Sequence, residues 1–299
     1  HACNSAIHRC QIAFMCGKEL NWLKRELSTL KVALKKSDYI IGSPQVEMLT
    51  KVVAILMEKR STLSSGINDQ YESVTSSEFV YYEKSHFNYQ KLVLQYLFEE
   101  YEAARETVFE MINLMKTYKD ALIDPLANSY MSLALLAVCD QGRKREKEEI
   151  LTQVHDNQDT LEKLAHCAPA NYRHKHHLVE AERMRVLGGY PDTIMHHYDQ
   201  AIALARENDF IHEEALANEL AARYLLNQEQ NISAQTYLQA ALEQYGAWGA
   251  KRKVAHLRDR YPELISEHRT EAVASPSANL DLATILKASE AISSTLELE

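Results

Sequence analysis

The apolar residues Ala234, Tyr237, Leu238, Ala241, Leu242 and Tyr245 fall at i, i+3, i+4, i+7, i+8 and i+11, one stripe of an α-helix. The same spacing recurs in Tyr198, Ala201, Ile202 and Ala205, and again in Tyr101, Ala104, Val108, Met111 and Met115. No alternating run competes for a strand. With only 8 Gly and 6 Pro in 299 residues there are few helix breakers, and 46% hydrophobic content fills a large core. Helix starts are marked at Ser43-Pro44 and Asp124-Pro125, where a capping side chain precedes a proline suited to the first helical position. The fold class read from these patterns is all-α.

The second half of the chain repeats. Asn171 to Phe210 reads helix, "GGYP" turn, helix; Ile211 to Ala250 reads helix, "NQEQN" turn, helix. Superposing them puts Ala181 over Ala221, Ile194 over Ala234, Tyr198 over Leu238 and Ala201 over Ala241. Those are the small and large slots of a tetratricopeptide repeat, although the offset is about 40 residues against the usual 34. The expectation is an α-solenoid of tetratricopeptide-like hairpins over residues 1–265, with breaks near "CGKE" and "IGSP" and a polar loop over 61–77. "RKREKEE" (Arg143 to Glu149) reads as the solvated opening of a longer helix. "SEHRTEAVASPSAN" (266–279) reads as a linker. Residues 280–299 read as the start of a helix leading into a following domain, and both ends of the chain read as cuts in a longer protein.

Composition narrows the function. The net charge is −9, which argues against a duplex-binding surface. No apolar run is long enough to span a membrane. Five cysteines without a CxxC pair fit a reduced, cytoplasmic setting, and Cys3 and Cys10 share a helix face as small core residues or a redox pair. Phosphate-binding, dinucleotide, zincin and nucleophile-elbow motifs are all absent. The expectation is a non-catalytic module without cofactor or metal.

Two residue groups invite a site. "NYRHKHHLVEAE" holds His174, His176 and His177, with His196 and His197 downstream. Counting outward from Gly188-Gly189 leaves the two clusters about five residues apart, or ~7–8 Å at 1.5 Å rise per residue. One histidine from each cluster can meet, but four cannot, so exposed or capping histidines are favoured over a zinc site. Tyr198, Tyr224, Tyr237 and Tyr245 are placed to line a ligand groove or to pack with their hydroxyls at its rim.

The stretch from "APANYRHKHHLVEAE" to "RYPEL", with "YLFEEYEAA", "SYMSLALLA" and "NQDTLEKLAHCAPAN", resembles the helical region of very large multidomain sensor kinases. There a Ser/Thr-kinase-like domain and a P-loop ATPase precede the helical region, and a GAF domain and often a histidine kinase follow it. The pattern N-[FY]-x-H-K-x-x-L-V-E-A-E is matched by Asn171, Tyr172, His174, Lys175, Leu178, Val179, Glu180, Ala181 and Glu182. The resemblance implies a sensing or interaction module of a two-component type pathway. A protein, peptide or small inducer would sit in the concave face, and the ATPase and GAF domains would be neighbours. His174, Lys175 and Glu180 join Tyr198, Tyr224 and Tyr237 as candidate contacts. A structural spacer, or a histidine-based metal enzyme, are the alternatives.

Overall fold

The computed structural model describes residues 2–36, 43–58, 81–118, 123–139 and 144–265. The loop, linker and helix expected over 61–77, 266–279 and 280–299 lie outside these residues. The chain divides into two compact units, His1–Arg260 and Tyr261–Glu299. Of the second, only residues 261–265 are described, as a short helical turn.

Among the described residues the first unit holds twelve helices and no strand. They are α1 (Ala2–Met15), α2 (Leu20–Lys36), α3 (Ser43–Met57), α4 (Tyr81–Leu97), α5 (Tyr101–Thr117) and α6 (Ile123–Val138). Then come α7 (Lys144–Cys167), α8 (Pro169–Leu187), α9 (Pro191–Glu207), α10 (Ile211–Asn227), α11 (Asn231–Trp248) and α12 (Lys251–Arg260). α6 starts one residue before the expected Asp124 cap, and α7 carries the charged run as its exposed first turns.

Neighbouring helices pair as hairpins, α4 with α5, α6 with α7, α8 with α9 and α10 with α11. The first helices of successive hairpins, α4, α6 and α8, also pack on one another and make the inner layer. The repeat slots are filled as the superposition requires: Ala181, Ala221, Ile194, Ala234, Tyr198, Leu238, Ala201 and Ala241 are all buried. Small side chains there let paired helices close in, and the larger ones fill the remaining gap.

Among the described residues one turn geometry is used six times. A residue with positive φ ends a helix at Gly17, Glu99, Gly188, Asp209, Glu229 and Gly249. In each case the next amide bonds a carbonyl five residues back: Lys18 to Ala13, Glu100 to Gln95, Gly189 to Met184, Phe210 to Ala205, Gln230 to Leu225 and Ala250 to Tyr245. This arrangement satisfies carbonyls left over at a helix end and reverses the chain sharply. Three of the six pay left-handed strain on a side chain that is not glycine.

The first helices of the chain rest on the last. α3 packs against both α4 and α12. Gly17, in the α1–α2 turn, lies so close to α10 that a Cβ there would overlap His212 Nδ1. Phe14 of α1 and His212 both stack near the fully buried Trp248, with ring centroids 6.2 and 5.2 Å away. The N-terminal helices thus pack against α10, α11 and α12.

Candidate ligand cavity and its buried ion networks

α10 is buried nearly all round, charged residues included. Glu219 is 1% exposed and accepts from Tyr245 Oη at 2.8 Å, from Lys253 Nζ at 2.8 Å and from Arg223. Lys253 also donates to the carbonyl of Leu97, at the end of α4. Arg223 reaches Glu99 at 2.8 Å and donates to the Tyr101 hydroxyl. Burial alone would raise the Glu219 carboxyl, but Lys253 and then Arg223 hold it down at about 2. Burial lowers the Lys253 ammonium, and Glu219 opposes that. The network joins α12, α10 and the α4–α5 turn.

A second carboxylate, Glu182 of α8, accepts from Tyr198 Oη on one oxygen. Its other oxygen takes Arg185 Nε and Nη2 at 3.0 and 2.9 Å. Burial works against the Arg185 charge, and Glu182 more than compensates, leaving the guanidinium firmly protonated. Between the two networks lies a cavity of about 120 Å³, lined by Tyr96, Tyr101, Ala137, Glu182, Arg185, Leu220, Arg223, Tyr224 and Asn227. It sits where the C-terminal ends of α4, α6, α8 and α10 converge.

The third network surrounds Glu213 in the first turn of α10. His174 and Lys175 both contact its Oε2, and Lys175 stands 4.6 Å from the Phe210 ring centroid. All three ionisable side chains are buried. Burial would raise Glu213, but Lys175 and His174 hold it far below the ordinary carboxylate range. His174 and His212 are lowered chiefly by burial, His212 to about 4. The adjoining space, about 10 Å³, has room for one water at most.

The expected site residues are thus dispersed. His174 and Lys175 form a buried structural cluster rather than an exposed or capping one. Glu180 is half-buried, bonded to Arg183 and to Gln158. Tyr198 and Tyr245 are fully buried, each donating to a glutamate. Tyr237 donates to Asp199 at 2.6 Å on the exposed side of α9 and α11. Of the six candidates Tyr224 alone lines the 120 Å³ cavity, its ring centroid 6.0 Å from that of buried Tyr198.

The histidine clusters meet through one member each: His177 Nδ1 lies 3.0 Å from His197 Nδ1. Burial, then His197, lowers His177 to about 4. One histidine of each cluster meets across the hairpin, as the axial count allowed, and His176 and His196 only flank the pair. Among the described residues no group of three or more His, Cys, Asp or Glu side chains is arranged to hold a metal. Cys10 is buried, and burial raises its thiol; the side chain of Cys3 lies outside those described.

Sequence patterning missed Glu182, Arg185, Glu219, Arg223, Lys253, Tyr96, Tyr101 and Asn227. One signal was available: α10 places Ala215, Leu216, Ala217, Leu220, Ala221, Ala222 and Leu225 around its circumference, so its charges had no solvent face to occupy.

No protein-family model matches the sequence, and no curated protein matches it. A solved structure does: the crystal structure of a Rap protein complexed with competence and sporulation factor. The TM-score is 0.57 at 9% identity, over 89% of this chain and 74% of that one. The likeness establishes the class of fold, an all-α solenoid of tetratricopeptide-like hairpins. Among the described residues no helix is long and apolar enough to cross a membrane.

Proposed function

We propose that this chain is a non-catalytic protein-interaction module of a cytoplasmic signalling protein, in which binding of a protein or peptide partner is coupled to how tightly α3 and the end of α4 hold α12. The observation that carries this reading is the buried bridge from Lys253 to Glu219 and to the Leu97 carbonyl. It ties α12 to α10 and to the end of α4, on the side we assign to the partner. A partner that contacts this side must loosen or rearrange those contacts, and it shifts the balance only by binding one arrangement better. The structural likeness to a Rap protein solved with competence and sporulation factor supports an interaction role.

The finer setting follows from the resemblance to multidomain sensor kinases: an ATPase domain before the array, a GAF domain after it and a histidine-kinase output. Hydrogen exchange across residues 13–20 and 95–101, with the neighbouring ATPase and GAF domains added, tests the coupling. Altered exchange in either turn supports it; identical exchange with both domains contradicts it.

A spacer between those domains is the second reading. The full burial of the Lys253–Glu219 pair favours it, because buried ion pairs hold geometry more than they add stability. Exchanging the array for an unrelated rigid repeat of equal length separates the two: retained signalling favours the spacer.

A further inference from the structure

We propose that the cavity of about 120 Å³ between α4, α6, α8 and α10 is a binding site for a carboxylate group. This deepens the interaction-module reading, on which it rests for the kind of partner: the carboxylate belongs to a small organic acid or to the C-terminus of a peptide. Glu182, the acceptor on the wall, already receives Tyr198 on one oxygen and Arg185 twice on the other. Glu99 and Glu219, behind Arg223, are engaged with Arg223, Lys253 and Tyr245.

The groups left facing the cavity are mainly donors. Arg185 commits Nε and Nη2 to Glu182, so the two N–H groups of its other terminal nitrogen remain. Tyr101 accepts from Arg223 and keeps its own O–H to give. Tyr96, Tyr224 and Asn227 line the space, and Tyr96 and Tyr224 keep their phenols protonated because burial raises both. Burial likewise pushes Tyr101 up to about 12. A space edged by a guanidinium, three phenols and an amide is matched by an acceptor-rich anion. Charge-assisted bonds to a carboxylate are the strongest partners these donors can find.

Size and access agree. A volume of 120 Å³ holds about four waters, at roughly 30 Å³ each, or a short-chain acid. The side chains of Arg185 and Arg223 are 26% and 20% exposed, so the cavity opens to solvent beside them. The carbonyl ends of α8 and α10 disfavour an anion at this end of the repeats. Arg185 in the last turn of α8, and Arg223 one turn before the end of α10, offset that field.

The test uses the full chain, labelled to observe the Asn227 side-chain amide and the Arg185 Nε–H by NMR. Acetate, triglycine and triglycinamide are titrated at constant ionic strength. The expected result is that acetate shifts both signals with millimolar affinity and triglycinamide does not. If triglycine also shifts them, the source is a peptide C-terminus; if acetate alone does, it is a small acid. Tyr224→Phe and Asn227→Ala, which break no bond within the protein, are expected to weaken acetate binding about tenfold each with unchanged melting. The proposal is overturned if neither acetate nor triglycine moves the signals, which leaves a water-filled cavity, or if both variants bind acetate as the parent does. Hydrogen exchange in the two turns can still respond to the neighbouring domains in that case, so failure here is separable from failure of the interaction reading.

Discussion

Lys253 Nζ lies 2.8 Å from Glu219 Oε1, with both side chains buried, and its other bond goes to the Leu97 carbonyl, 156 positions earlier in the chain. A buried ammonium persists only where charge and hydrogen bonds compensate its lost hydration. Lys253 therefore fixes the last helix against the end of α4.

Replacing it tests that role. Lys253→Met leaves Glu219 with Arg223 and Tyr245 but strands the Leu97 carbonyl, and should cost about 3–5 kcal/mol in urea denaturation. Adding Glu219→Gln should recover part of the loss, giving a coupling of 1 kcal/mol or more, on the order expected for contacting residues. Additive effects of the two substitutions would contradict the bridge.

Acidification should weaken the fold in two stages. His212 and His177 titrate at about 4 in the folded chain, against the ordinary 6.5. Both folded values are depressed, so the unfolded chain takes up protons that the folded chain refuses. Stability is then full above pH 6.5 and falls as pH drops to 4, by up to about 1.4 kcal/mol per pH unit for buried His212 and by less for half-buried, solvent-screened His177. The Glu219 contribution survives this range and is lost only between about 4.5 and 2. The urea midpoint measured from pH 8 to 4 should decline below 6.5, and His177→Gln should flatten part of the slope. A constant midpoint from 6.5 to 4.5 would contradict the burial of His212.

Two glycines with similar dihedrals should respond differently to alanine. Gly17 has φ 69° and Gly188 has φ 71°, so alanine at either position takes on the left-handed cost of about 1–2 kcal/mol that glycine avoids. Nothing lies within 4 Å of a Cβ at Gly188, whereas His212 occupies that place at Gly17. Overpacking there adds about 1–3 kcal/mol. Thermal melts should show Gly17→Ala clearly below Gly188→Ala; equal melts would separate the α1–α2 turn from α10.

The opposite substitution should stabilise. Glu229 holds φ 58° at an exposed turn. Glu229→Gly relieves the strain at the expense of chain entropy, for a net gain of a few tenths to about 1 kcal/mol. A lower midpoint for this variant would argue against the repeated turn geometry.

Much of this architecture was legible before the structure. Periodicity gave the helices, and the superposition of Ala181 on Ala221 and Tyr198 on Leu238 gave the hairpins, because slots between paired helices demand small or large side chains at fixed spacing. The ion networks were hidden for a physical reason. A charged residue on a helix reads locally as solvent-facing, and nothing near Lys253 announces partners 34 and 156 positions away. The tyrosines were ambiguous for the same cause. Tyr224 and Tyr237 have similar local settings, yet one lines the cavity and the other caps Asp199 outside. The histidine-rich stretch drew attention to the right place for a partly different reason. His174 and Lys175 matter through Glu213, a partner nearly 40 residues on.

The distance between α2 and α12 is the most direct test of the closure on which the interaction role depends. Spin labels on non-cysteine handles at Val32 and Arg258, both exposed, report it by pulsed electron resonance. The expected result is one narrow distribution for the isolated chain, which broadens or lengthens when a domain of the proposed ATPase or GAF type is added. A distribution that stays unchanged with both domains bound would contradict partner-coupled opening.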